Sequence, residues 1–269
     1  YFPKFFHPDP TVKRQTGFLV PRLQENSTTG LSLKLPYFIA LAQNKDITLS
    51  PRFFNDDKFL LQSEFRQINK KSNHLADLSQ FISSDKDSKG HLFYNFKKNY
   101  DSANFDDIEL DIKLEQVSDD TYLKAYKLES PLIKNNSNLS NSISLNLYDE
   151  NQTINTNLNV YEDLNKSNND RYEYVPNFSF SKIIDDNYSF RSKGFYKNYN
   201  TNITEKVLIN DLEFNTNLKY FNNGLINSKK LLVKNVNSEA KNSKKFKNEN
   251  SSTLLPTFQT NYSYPLQKQ

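Results

Sequence analysis

The 269-residue chain has no cysteine, no methionine and no tryptophan, only five glycines and three histidines. Without cysteine, thiol chemistry and an internal disulfide are both excluded. No apolar run approaches the roughly 20 residues a membrane helix needs. An excess of one charge is also missing, with 35 basic and 31 acidic side chains and a net charge of +4. Nucleic-acid binding calls for a basic stripe interleaved with aromatics. The one basic run, at 229–247, lacks that interleaving and reads as a solvated loop.

What is present is tyrosine and phenylalanine, 16 and 21 of them, in a chain only 36% apolar. Disordered segments are short of aromatics, so this composition points to amphipathic strands. The dominant signal from Gln15 onward is period two. In 107–116, Ile108, Leu110, Ile112 and Leu114 share one face, while Glu109, Asp111, Lys113 and Glu115 share the other. Leu31, Leu33 and Leu35 alternate in the same way, as do Ile143, Leu145 and Leu147, then Ile154, Leu158 and Val160, then Leu212, Phe214 and Leu218.

Runs of about ten residues joined by polar turns are the pattern of an outer-membrane barrel. A soluble β-sandwich, the competing class, uses shorter strands and more aliphatic bulk. The acidic and basic face of 107–116 then reads as lumen wall. Residues 119–128 are the one helix-like stretch and read better as a turn carrying aromatics. Residues 222–252, rich in Lys, Asn and Ser, read as a long polar loop. The proline- and aromatic-rich residues 1–14 read as a stiff junction between two units. The chain begins at Tyr1 without an initiator methionine, and the expectation is a piece of a longer protein with a signal peptide upstream.

Prolines interrupt the first strands at Pro21, Pro36 and Pro51, fifteen residues apart each time. A proline has no N–H for the ladder, so it belongs at an edge, a bulge or a strand end. Pro21 and Pro36 are each seven residues from the Thr28–Thr29 pair, so a turn there would set them facing across the first hairpin. Pro51 lies one strand further on, where a strand-end role fits.

These residues resemble a known family. FFHPDPTVKRQTGFLVP, then PYFIALAQNKDITLSPRFF, then LLQSEFRQI, is similar to the LptD family of LPS-assembly proteins, where a periplasmic β-jellyroll gives way to the barrel. The elements that carry the likeness are Lys13–Pro21, Pro36–Phe38, Ala42–Asp46, Pro51–Arg52 and Glu64–Arg66. Later, Ser118-Asp119 with Tyr122-Leu123 resembles the family's Ser-Asp-x-x-Tyr turn. Gln43 departs from the pattern, where the family often has proline.

The resemblance implies an all-β fold: the end of a periplasmic β-jellyroll at 1–14, and the N-terminal part of an antiparallel transmembrane β-barrel at 15–269. It implies no enzyme and no cofactor. It implies insertion of lipopolysaccharide into the outer leaflet of a Gram-negative outer membrane, with an LptE lipoprotein plug and a periplasmic LptA-type bridge as partners. Pro21 and Pro36 would belong to a lateral gate between the first and last strands. Strand-end prolines at the membrane boundary are the plainer alternative. A porin or receptor barrel is the alternative function.

Lys13 and Arg14 could meet lipid A phosphates, since arginine pairs bidentately with phosphate, or could simply anchor the first strand. Tyr37, Phe38, Phe53, Phe54 and Tyr94 are candidates for an interfacial girdle. A metal site at His7 and Asp9 finds no support from neighbouring ligands, and His74 and His91 read as loop residues beside a polar interval.

Overall fold

A computed structural model of the chain describes residues 14–26, 29–55, 58–83, 88–199 and 202–265. Lys13, His7, Asp9, Thr28 and all of the expected junction except Arg14 lie outside the described residues. Antiparallel strands dominate. Among the described residues, α-helix is confined to α1 (Tyr122–Ala125), inside the segment expected to be an aromatic turn. Among the described residues no helix is long and apolar enough to cross a membrane, which has no bearing on crossing by strands.

The chain divides into two compact units, one of residues 1–98 with 112–139, the other of 99–111 with 140–269. The first contains β1 (Gly17–Phe18), β2 (Arg22–Asn26), β3 (Gly30–Lys34), β4 (Tyr37–Ala42), β5 (Lys45–Phe54), β6 (Phe59–Ile68), β7 (Ser72–Ile82) and most of β8 (Ser88–Tyr100). From β5 to β8 each strand pairs antiparallel with the next in unbroken register, as in Asp46↔Arg66, Gln62↔Ser79 and Ser79↔His91.

That register sorts the side chains by period two. Ser32, Arg52, Gln62, Asp77, Ser79 and His91 share one face and are buried, whereas Leu31, Leu33, Phe53, Leu78 and Leu92 share the other and are exposed. A soluble sandwich does the reverse. Polar inside and apolar outside is the arrangement of a barrel wall in lipid. His74 and His91, expected in loops, both lie within strands (β7 and β8) because each occupies an alternating position of a paired ladder.

β9 (Asp107–Val117) and β10 (Asn138–Asp149) flank the segment that holds α1. The second unit continues with β11 (Gln152–Asp163), β12 (Tyr172–Tyr174), β13 (Asn177–Ile183), β14 (Tyr188–Tyr199), β15 (Ile203–Asn215), β16 (Lys219–Tyr220), β17 (Ile226–Lys241) and β18 (Ser251–Ser263). The polar loop expected at 222–252 is therefore a correction: most of it is β17, laddered to β15 from Thr204↔Lys241 to Asn215↔Lys230 and to β18 from Ile226↔Ser263 to Ser238↔Ser251.

The reason lies in the partners. Lys230 pairs with Glu213 at 2.7 Å and Lys234 with Asp211 at 3.8 Å, so the lysines serve as counterions on one face while Leu231 and Val233 occupy the other. Composition alone hides a strand whose polar residues are neutralised from the neighbouring strand. The irregular remainder is 222–225 and 242–250.

Candidate functional site: the interrupted hairpin and its strap

The first hairpin closes at Asn26↔Gly30, where Gly30 takes a φ of +69° that side-chain-bearing residues rarely adopt. Its ladder then runs to Arg22↔Lys34 and stops. It resumes at Phe18↔Tyr37. From Arg22 back to Phe18 is four residues, while from Lys34 to Tyr37 is three, so one extra residue is accommodated on the first strand. Pro21 and Pro36 both fall in this break. They do not face each other as expected: the hairpin register is already one residue out of step, and the bulge then sets Pro36 opposite Leu19, whose N–H donates to the Pro36 carbonyl at 2.9 Å.

The return bond cannot form, because Pro36 has no N–H. The same half-pair recurs between Leu35 and Pro51, where the Leu35 N–H donates to the Pro51 carbonyl at 2.9 Å. Pro51 is mid-strand in β5, not at the strand end expected for it. Arg14, by contrast, is engaged: its guanidinium lies 2.8 Å from the buried carboxylate of Asp46, which Arg66 meets from the other side at 2.8 Å. That contact ties the chain ahead of β1 to β5 and β6.

Across the inner face of β2, β5, β6, β7 and β8 lies a strap, residues 118–131. It enters at Ser118, whose N–H donates to the Gly90 carbonyl at 2.9 Å and whose hydroxyl accepts the Gly90 N–H at 2.8 Å. A Cβ at position 90 would collide with the carbonyl of Ser79, so only glycine fits where strap and wall meet. The first turn is fixed by Asp119, which accepts from the Thr121 hydroxyl at 2.6 Å and the Thr121 N–H at 2.9 Å, and from Lys89 at 3.1 Å. The Thr121 hydroxyl bond, with Lys89, holds the Asp119 carboxyl below the usual carboxylate range.

Tyr122 and Leu123 are fully buried. The Tyr122 hydroxyl and the Ser79 hydroxyl share a 2.7 Å hydrogen bond, and Ser79 is 2.6 Å from His91 Nδ1. His91 Nε2 lies 3.3 Å from Asp77. Burial pushes the Tyr122 hydroxyl up to about 12. Serine, histidine and aspartate in sequence are the residue types of a nucleophile relay. Here the Ser79 oxygen is capped by Tyr122 and all three groups are sealed beneath Tyr122 and Phe93. What the trio does is anchor the strap. Phe54, expected at an outer girdle beside the exposed Phe53, packs instead on the strap, with its ring 6.0 Å from that of Tyr126.

The far half of the strap is held by the wall's side chains. Asn26 donates to the Ala125 carbonyl at 2.6 Å, Arg52 to the Tyr126 carbonyl at 2.6 Å and Gln62 to the Glu129 carbonyl at 2.9 Å. Arg22 of the interrupted strand pairs with Glu129 at 3.0 Å. The strap thus links β2, beside the break, to the continuous wall of β5–β8. The sequence singled out 119–128 only as a turn carrying aromatics, and gave no strap-holding role to Arg22, Arg52, Gln62, Asp77, Ser79 or His91. Among the described residues there is no cluster of His, Asp and Glu that could hold a metal ion.

Comparison with known proteins fits this inverted wall. Residues 88–269 match the family model described as LptD, LPS transport system D. The chain belongs to the LPS transport system D family. The LPS-assembly protein LptD of Pseudoalteromonas atlantica is 26% identical over 189 residues, covering 69% of this chain and 24% of that protein. Its counterpart in Pseudomonas entomophila is 26% identical over 211 residues, covering 75% and 22%. That of Psychrobacter arcticus is 29% identical over 154 residues, covering 56% and 16%. The chain spans about a quarter of the length of the first two LptD relatives. The LptD family match begins at Ser88, so the interrupted hairpin lies ahead of it.

Proposed function

We propose that this chain is part of an outer-membrane barrel of a Gram-negative bacterium that inserts lipopolysaccharide into the outer leaflet, catalysing no reaction. The glycolipid would arrive over a periplasmic LptA-type bridge and jellyroll, an LptE lipoprotein would plug the barrel, and the exit would be a lateral gate at the first hairpin. A barrel in lipid satisfies its backbone only by closing, so a seam that opens has to be weakly paired by construction. The observation that carries the reading is the ladder break holding Pro21 and Pro36, with an amide lost at Pro36 where a paired strand would have supplied one.

The test is a reversible lock. A cysteine at Leu23 in β2 is paired with one in the last strand of the full-length protein. Oxidation should stop surface display of lipopolysaccharide, and reduction should restore it. Undiminished display with the seam locked overturns the gate.

A further inference from the structure

Beside the ladder break, on the inner face of the first unit, a cavity of about 680 Å³ opens between β1–β6 and the strap. Its rim toward the break is apolar, formed by Phe18, Leu19 and Val20, all exposed. Its floor is polar and hydroxyl- or amide-bearing, at Thr48, Ser50 and Gln62. Two cations reach it, Arg22 and Lys34, and two carboxylates, Glu64 and Glu129. The carboxylates are already engaged, Glu129 with Arg22 at 3.0 Å and Glu64 with Arg66 at 3.4 Å.

Lys34 is the exception. Its ammonium donates to the Gln62 side-chain carbonyl at 3.1 Å and, among the described residues, has no carboxylate within ion-pair distance. Gln62 is itself committed, giving its amide to Asp77 and to the Glu129 carbonyl. An ammonium has three hydrogens to donate, so two remain for the cavity. Behind Lys34, across a void of about 10 Å³ that the two residues share, lies Arg52. It is 3% exposed, with Nη2 unpartnered, and Glu129, which lines the same void, is paired with Arg22. A half-buried and a buried cation lining one void, with its carboxylate Glu129 already taken by Arg22, favour an anion in the adjoining space.

We propose that this cavity is a headgroup subsite for a phosphorylated glycolipid, with a phosphate on Lys34, sugar hydroxyls on Thr48 and Ser50 and acyl chains leaving over the Phe18–Val20 rim. The proposal rests on the transport reading above. The volume exceeds a bare phosphate, and the Thr48 and Ser50 hydroxyls suit a sugar better than the smaller headgroup of a glycerophosphate.

The experiment uses the full-length protein in detergent, titrated with bisphosphorylated lipid A, phosphate-free lipid A, phosphatidylglycerol and inorganic phosphate. Lys34→Gln should weaken binding of the phosphorylated form by roughly 10- to 100-fold, the loss of one hydrogen bond to a charged group. Lys34→Arg should bind within a few-fold of the parent, which also controls for folding. Equal binding of the phosphate-free form, or a Lys34→Gln variant that binds like the parent, overturns the subsite and leaves the transport reading standing. Phosphatidylglycerol or inorganic phosphate binding as tightly as lipid A overturns the glycolipid assignment. A parent protein that binds no form of lipid A overturns the transport reading itself.

Discussion

Leu35 gives its amide hydrogen to the carbonyl of Pro51 at 2.9 Å, and Pro51 has none to give back. One strand nearer the N-terminus, Leu19 and Pro36 repeat the half-pair at 2.9 Å. Two successive strand pairs therefore each lose a donor at the same level of the wall, on either side of the Leu35–Pro36 peptide.

Pro36→Ala should restore the missing bond to Leu19. A net hydrogen bond is worth about 0.5–1.5 kcal/mol, and the lost proline rigidity offsets about 0.4–1 of it. Global stability should thus barely move while the hairpin tightens locally. Hydrogen exchange at Leu19 and its neighbours is the measurement: slower exchange is expected, and an unchanged rate would mean that the proline is not what weakens the hairpin ladder.

Tyr122→Phe removes the hydroxyl on Ser79 and should cost about 1 kcal/mol. Tyr122→Ala empties a sealed aromatic site and should cost about 3–5 kcal/mol. Limited proteolysis within 118–131 should follow the same order, with Ala cut fastest.

The same tyrosine sets an alkaline limit. Its hydroxyl titrates at about 12 in the folded state against about 10 for a free tyrosine, so the neutral form is favoured by folding. That stability is fully present below pH 10 and is lost as pH rises from about 10 to about 12. In Tyr122→Phe, the slope of stability against pH over this window should flatten. An identical slope would place the alkaline loss elsewhere.

Asp119 sets the opposite limit. Its pKa is depressed, first by the Thr121 hydroxyl, so its contribution is present above about pH 4, the free aspartate value, and is lost as pH falls through the lower folded value. Because the side chain is partly exposed, the effect is small. Asp119→Asn should remove the acid dependence of strap cleavage while leaving neutral-pH cleavage slightly faster than in the parent.

Arg14 offers a comparison of anchoring with ligand contact. Its partner Asp46 is 1% exposed and is shared with Arg66, whereas Arg14 itself is half exposed. Asp46→Asn should therefore cost more, about 1.5–3 kcal/mol, than Arg14→Ala, at about 0–1 kcal/mol. Arg14→Ala should leave lipid A binding unchanged. A large loss of binding with little loss of stability would return Arg14 to the phosphate.

How much of this was legible follows from which interactions are local. The alternation of Ile108, Leu110, Ile112 and Leu114 specifies a strand and its two faces without any partner, and β9 forms there. The break at Pro21 and Pro36 was equally legible, because proline acts on its own backbone. Their relative placement was not, since the hairpin register at Arg22↔Lys34 already sets Pro21 one residue out of step with Pro36, and the bulge shifts it by one more. The lysines of β17 misled because their counterions, Glu213 and Asp211, lie some twenty residues away. The strap's anchor joins Asp77, Ser79, His91 and Tyr122 from three separate segments, and none of them carries a local signature.

The strap's far half has a consequence for how this region changes over time. Asn26, Arg52 and Gln62 reach it through the carbonyls of Ala125, Tyr126 and Glu129, groups that every amino acid supplies. Substitutions at Ala125 therefore leave its grip intact, and no partner has to change in step. Pairs of positions that vary together would mark Tyr122 with Ser79 at the strap's entry, and Tyr126 with Phe54 and Glu129 with Arg22 in its far half, but would miss these three grips. Loss of Asn26, Arg52 or Gln62 on the wall would loosen the strap without any change in its own sequence.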